Sequence, residues 1–221
     1  MAARKAKPEL GDIVALKDTL LDAALPHIPF DRWSLTALRL GAEEAGLGME
    51  AVEKAFPRGA VDAIEHFIAR ADRDMLAALD GMDLPSLKIR ERITLAVRTR
   101  LEQAGAHKEA VRKALAFTAM PQHAGLAARS LYRTVDAIWY AAGDTATDFN
   151  FYTKRALLAG VYSTTLLFWL EDRSEGNAES WAFLDRRIGN VMQIPKLTGR
   201  IKGLASKLPN PMLLFRGPGR A

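Results

Sequence analysis

Four histidines, no cysteine, and a run that interleaves aromatic rings with carboxylates and basic side chains are the parts of this 221-residue chain that could do chemistry. His27, His66, His107 and His123 stand far apart, and the residues three before them are Ala24, Ala63, Ala104 and Met120. A carboxylate-bridged di-iron bundle needs inward-facing Glu-x-x-His pairs, which these spacings do not supply. Zinc motifs lack their cysteines and their His-Glu-x-x-His run. There is no Gly-x-Ser-x-Gly elbow, no phosphate-binding lysine loop and no Ser-x-x-Lys pair. Each histidine therefore reads as a surface or structurally satisfied side chain. With neither a nucleophile set nor a metal set, the chain is expected to be no enzyme and to hold no metal or cofactor.

What remains is GDTATDFNFYTKR at residues 143–155, leading into the apolar stretch Ala156–Leu170. Trp139, Tyr140, Phe149, Phe151 and Tyr152 place five of the chain's 17 aromatic residues beside Asp144, Asp148, Lys154 and Arg155. Two readings stay open from the residues alone. The rings can pack inward at a corner between two helices, or they can stand exposed as a patch of the residue types enriched at binding hot spots. Thr147 or Asp148 can cap the helix that begins here. From that start Phe149, Tyr152, Ala156, Ala159, Ser163, Leu166 and Leu170 share one stripe, which predicts a core face. Phe151, Arg155, Leu158 and Tyr162 follow another direction. On the exposed reading Phe151, Tyr152 and Arg155 are accessible near Asp144 and Asp148, while Phe149 and Ala156 point inward.

The elements that must position this run are helices. Apolar residues recur at three- and four-residue spacing almost throughout, and no stretch alternates convincingly at period two. The pattern predicts helices over 16–28, 34–45, 49–56, 59–80, 87–103, 108–118, 122–142, 148–171, 177–193 and 196–208, punctuated by Gly, Pro and Asn turns. The expected organisation is a flexible tail at 1–15, a helix-turn-helix head at 16–57, a helical domain at 58–195 and a basic amphipathic segment at 196–221. A composition 49% apolar and 26% charged belongs to a globular protein with length for a proper core. The lack of cysteine makes a reducing compartment the default. Ala156–Leu170 is 15 residues and carries Ser163, Thr164 and Thr165, short of the roughly 20 apolar residues that span a bilayer. The N-terminal MAARKAKPELGD has no apolar core of the signal type, so no targeting segment is expected.

The head has the layout of a DNA reader, with a helix ending in Ala-Gly, a tight turn, a short second helix and a long amphipathic one. Its charges argue against that role. From Arg39 to Lys54 two bases face four acids, Glu43, Glu44, Glu50 and Glu53. A recognition helix must approach phosphates, whose contacts supply most of the affinity, so no nucleic-acid partner is expected. The net charge of +5 sits elsewhere. Residues 196–221 hold Lys196, Arg200, Lys202, Lys207, Arg216 and Arg220 without an acid, which leaves the rest of the chain at −1.

That basic segment is amphipathic. Leu197, Ile201, Leu204, Ala205 and Leu208 recur at helical spacing, with Lys196, Arg200, Lys202 and Lys207 in other directions. Such a helix can dock on its own body or lie in a membrane interface. Each base near an anionic surface favours the second by about 1 kcal/mol. Leu197, Arg200, Ile201, Lys202, Leu204 and Leu208 are the expected membrane contacts.

The region from Trp139 to Leu184 resembles the signature of the ubiquinone-biosynthesis accessory proteins, the family of the ninth Coq protein. That signature runs Trp-x-x-Ala-Gly-Asp, then Thr-Asp-Phe-Asn-Trp-Tyr-Thr-x-Arg, an Ala/Tyr/Thr-rich helix, and Trp-x-Phe-Leu. It is matched at Trp139, Ala142, Gly143, Asp144, Thr147, Asp148, Phe149, Asn150, Tyr152, Thr153 and Arg155, and again at Trp181, Phe183 and Leu184. Phe151 stands where relatives often carry Trp, which keeps the aromatic ring but loses an indole N–H. The resemblance implies an all-α, TetR-like helical bundle with a degenerate N-terminal helix-turn-helix and a C-terminal amphipathic helix. It implies a lipid-binding protein that is not an enzyme. Such a protein holds an isoprenoid quinone intermediate or a phospholipid between its helices and presents the quinone to the demethoxyubiquinone hydroxylase. The patch meeting that partner falls on Tyr140, Asp144, Asp148, Phe151, Tyr152 and Arg155. A homodimer is expected, located in a bacterial cytoplasm and peripheral on the inner membrane. The competing reading is a TetR-type transcriptional regulator with a lipid-like effector.

Overall fold

A computed structural model describes the backbone of residues 13–144 and 149–205, with all their side chains except those of 149–151 and 192–205. The described elements are helices and short turns. Helix α1 is Ile13–Ala24, α2 Ile28–Asp31, α3 Leu35–Glu44, α4 Met49–Ala55 and α5 Ala60–Asp80. They are followed by α6 Ile89–Gln103, α7 Lys108–Thr118, α8 Ala124–Ala141, α9 Phe149–Glu171 and α10 Ala178–Ala205. Among the described residues no helix is long and apolar enough to cross a membrane.

The head forms where α3 crosses α1 so closely that the helices meet backbone to backbone. A Cβ added at Gly41 would lie 2.6 Å from the backbone nitrogen of Ala24, so only glycine fits. Ser34 caps α3 by accepting from the Ala37 amide. At its other end Gly46 takes φ 67° while the amides of Gly46 and Leu47 bond back to Glu43 and Ala42. That left-handed turn is what swings the chain into α4. Leu20, Leu21, Leu38, Val52 and Phe56 bury the inner faces against Ile64 of α5 and Ala114 of α7. Trp33 pins the head by donating its indole N–H to the Ala110 carbonyl at 3.0 Å. The outer face of α4 presents Glu50, Glu53 and Lys54, and Arg39 of α3 is engaged by Glu43 at 2.9 Å.

Helices α5 to α10 enclose a second apolar cluster, built from Met75, Val97, Leu101, Ile138, Trp169 and Leu184. Lys108 ties α7 to the α9–α10 turn, donating to the carbonyls of Trp169 and Asp172 and to Asn177 Oδ1. Trp181 donates to the Gly176 carbonyl at 2.8 Å and locks the start of α10.

Two expected boundaries move. The helix expected over 16–28 stops at Ala24, because Pro26 disfavours helical backbone in the residue before it, and a separate turn of helix follows. The break expected between 193 and 196 is absent, and α10 continues through Pro195 to Ala205. Pro195 forfeits one backbone donor but keeps a helical φ, and the helix is already anchored by Trp181, Leu184 and Ile188 in the core.

Candidate functional site

Two places in the body gather functional groups: a surface at the α8–α9 junction and a cavity between α5 and α9. At the junction α8 ends on Gly143, whose φ of 79° is the left-handed value that closes a helix. The Gly143 and Asp144 amides bond back to the carbonyls of Tyr140 and Trp139. Arg92 braces the same turn by donating to the Ala142 carbonyl at 3.1 Å. The turn aims Asp144 inward, where its carboxylate receives Lys154 Nζ at 2.7 Å and faces Arg155 Nη1 at 3.5 Å. Lys154 also lies over the Trp139 ring, 5.5 Å from its centroid.

The structure corrects the expected direction of α9. Arg155 is only 7% exposed, and Leu158, Tyr162, Thr165 and Trp169 continue its line into the core. Ala156, expected inward, is exposed, while Tyr152, placed both on the core stripe and in the exposed patch by the sequence, stands 70% exposed. The reason is electrostatic as well as steric. Arg155 reaches Asp136 on α8, with Nε 2.8 Å and Nη2 2.7 Å from Oδ1, and no apolar residue could answer that carboxylate. The arginine thus lies beneath the patch and not on it. Tyr140 is 77% exposed, half-exposed Tyr132 precedes it by eight residues on α8 with Asp136 midway between them, and exposed Tyr152 precedes Arg155 by three residues on α9. Asp148 and the side chains of Phe149 and Phe151 lie outside the described residues. So do the side chains of Leu197, Arg200, Ile201, Lys202 and Leu204, and the whole of Leu208.

The second place corresponds to the expected lipid space between the helices, but its lining residues are not singled out by sequence. A cavity of about 310 Å³ lies between α5, α6, α7, α8 and α9. Phe67, Ile68, Val111, Leu115, Leu131 and Leu166 form much of its wall. Its volume lies at the small end of ligand sites, which run roughly 300–1,000 Å³. Leu167, 59% exposed, lines it on the solvent side. Arg100, Ser130, Thr134 and Tyr162 line it from the core side, and all four are buried. Arg100 Nε donates to Asp72 Oδ1 at 2.8 Å and Nη1 donates to the Tyr162 hydroxyl, while Thr134 donates to Asp72 at 2.9 Å. Burial works to lower the Arg100 pKa, but Tyr162 and Asp72 outweigh it and hold the guanidinium charged. Burial pushes the Tyr162 phenol up against the opposing charge of Arg100, so it stays an O–H. One sequence signal could have exposed this cluster. Arg100 falls on the apolar stripe of α6, with Ile93, Ala96, Val97 and Leu101, and a charge in such a stripe must have a buried partner.

Residues 124–195 match the family model described as COQ9. The chain is 34% identical over 194 residues to the mitochondrial ubiquinone biosynthesis protein COQ9 of Drosophila melanogaster, covering 86% of this chain and 59% of that protein. For the rat protein of the same name the identity is 32% over 200 residues, covering 87% and 64%. For the human protein it is 30% over 200 residues, covering 87% and 63%. The chain thus spans less than two thirds of the length of each of these relatives. Among solved structures, a TetR transcriptional regulator from Nitrosomonas europaea superposes with a TM-score of 0.66 at 22% identity, covering 80% of this chain and 98% of that one. At that identity the likeness speaks for the fold alone.

Proposed function

We propose that the chain is a member of the COQ9 family of ubiquinone biosynthesis proteins, which its family-model match and its identity to three proteins of that name support, and that it is a lipid-binding accessory protein that performs no chemistry itself. It takes an isoprenoid quinone intermediate into the cavity between α5 and α9 and presents it to the hydroxylase that acts on demethoxyubiquinone. The observation that carries this reading is the cavity, apolar along most of its wall, with Arg100, Ser130, Thr134 and Tyr162 gathered at its core side and Thr118 and Ser163 as its other polar lining residues. A polyprenyl tail is nearly insoluble, so moving it from membrane to enzyme requires apolar surface to replace the lipid around it. The exposed tyrosines of α8 and α9 are the face offered to the hydroxylase. Leu197, Arg200, Ile201, Lys202, Leu204 and Leu208 are proposed to rest on an inner membrane, where the protein is peripheral and homodimeric.

Extraction of protein purified without detergent tests the ligand, the expected result being co-purified isoprenoid quinone in a fixed ratio to protein. Lipid-free extracts together with no binding of added quinone would end the reading. The helix-turn-helix layout of α3 and α4 allows a second reading, a transcriptional regulator with a lipid-like effector. Against it stand the two carboxylates on the outer face of α4, which would repel the phosphates a recognition helix must approach. Mobility-shift assays with the protein's own upstream DNA at ~150 mM salt are expected to show no specific complex, since non-specific contacts are screened there.

A further inference from the structure

The cavity has a direction. Ser130, only 3% exposed, lines it, and its hydroxyl has no hydrogen-bond partner among the described residues. A serine within a helix can turn its hydroxyl back onto the carbonyl four residues earlier, as Thr118 and Thr165 do here, but Ser130 does not. The Tyr162 oxygen accepts from Arg100, and no acceptor for its own proton stands among the described contacts. Arg100 Nη2 has only two long contacts, 3.4 Å to the Ile68 carbonyl and 3.4 Å to Thr134 Oγ1. Three under-used donors therefore meet at the buried end, and buried donors without acceptors are costly to keep.

The two buried charges at that end, Arg100 and Asp72, neutralise each other. Asp72 takes Arg100 and Thr134 on one oxygen and faces Arg133 Nε at 3.4 Å on the other, with Arg133 itself partly in solvent. What the cluster lacks is a neutral acceptor oxygen. Resting on the lipid reading above, the geometry points to a ligand bound head-first: a carbonyl or methoxy oxygen of a quinone-type ring accepts from Ser130 and Tyr162, with Arg100 Nη2 in reach. The apolar tail then runs past Leu166 and Leu167 toward solvent, which leaves it free to pass back into a membrane. Ser130 and Tyr162 on this account determine specificity for the head and contribute nothing to holding the tail.

The test is fluorescence-quench titration of the full chain with three probes. They are a ubiquinone carrying two isoprene units, the isoprenoid hydrocarbon of matching length without a head, and oleate. Ser130→Ala and Tyr162→Phe are each expected to weaken the quinone about three- to tenfold, the range for one neutral hydrogen bond, and to leave the hydrocarbon within about twofold. Ser130→Ala removes an unbonded buried hydroxyl, so its ligand-free melting temperature should hold or rise while its quinone affinity falls. A merely structural serine would not show that opposition. Tyr162→Phe deprives Arg100 of an acceptor, and if it does not fold, Ser130→Ala decides alone. Equal loss for quinone and hydrocarbon, or no loss for the quinone because water alone fills the polar end, overturns the head-first orientation and leaves the lipid reading standing. A larger loss for oleate than for the quinone overturns the neutral head. Wild-type protein that binds none of the three overturns both readings.

Discussion

Arg100 and Arg155 are both more than nine-tenths buried, and both reach a carboxylate on a neighbouring helix, yet they shape their surroundings in opposite ways. Arg155 sits between two acids, Asp136 and Asp144, close under the protein surface. Its guanidinium ties α9 to Asp136 of α8 and to Asp144 just beyond the end of α8, near Tyr140 and Tyr152 in the chain. Arg100 has one near acid, Asp72, and spends its other donors on the Tyr162 hydroxyl and on long contacts. The first arginine is closed by protein acceptors and ties two helices together. The second keeps donors in hand at a cavity wall, where a ligand can use them. A buried charge is weak evidence for stability in itself, but how completely it is satisfied separates scaffolding from a binding site.

Removing one member of each ion pair has the largest expected effect on stability. Arg100→Met leaves Asp72 buried without its main partner and is expected to cost about 3–5 kcal/mol, read as a lower midpoint in urea unfolding. Loss of quinone binding should follow. Asp136→Ala is expected to cost only about 1 kcal/mol, because Asp136 is half exposed and Arg155 keeps Asp144. If Asp136→Ala proves the more damaging change, the two regions have been ranked the wrong way round.

How far the sequence reveals these regions follows from how local their causes are. Gly143 and the α8 end are readable, because a glycine after an aromatic, apolar helix is a local signal. The head is readable for the same reason, down to Gly46 and the acids of α4. The rotation of α9 is not. That helix is apolar on nearly every side, so several stripes fit a core face, and its true direction is chosen by Asp136 on another helix. The cavity cluster is harder still. Asp72 and Tyr162 stand 28 and 62 residues from Arg100, and only the arginine's place in the α6 stripe hints at them. Side-chain pairs across a bundle leave no periodic trace.

Asp172, just beyond the end of α9, offers a carboxylate satisfied by neutral groups and not by an arginine. Burial works against its charge, yet the amides and hydroxyls of Ser174 and Ser180 outweigh that and hold its carboxyl well below the usual range. A depressed folded-state pKa adds stability that is present above the unfolded value and is lost as pH falls below about 5. Asp172→Asn should therefore cost about 1 kcal/mol at pH 7, the worth of a helix cap. It should also flatten the fall in melting temperature between pH 5 and pH 3 on the scale that linkage sets. Parallel acid profiles for variant and wild type would show that other carboxylates govern the transition.

The smallest effect on stability is expected where the effect on function is largest. Tyr152 is 70% exposed and Tyr140 77% exposed, so truncating either to alanine uncovers no core. Surface changes of this kind usually stay within about 0.5 kcal/mol. Both residues nevertheless flank the junction held by Arg155, and exposed aromatic groups are what an interface uses as anchors. If this surface meets the hydroxylase, Tyr152→Ala should weaken that complex by more than tenfold, about 1.4 kcal/mol or more. The measurement is calorimetry of the purified pair, beside a melting curve for the variant alone. Arg155→Glu cannot serve this purpose, because it would set a third carboxylate beside Asp136 and Asp144 and unfold the junction. An unchanged melting curve with lost binding would mark the tyrosines as contact residues. Unchanged binding would return the α8–α9 junction to a helix corner whose buried charges only hold two helices together.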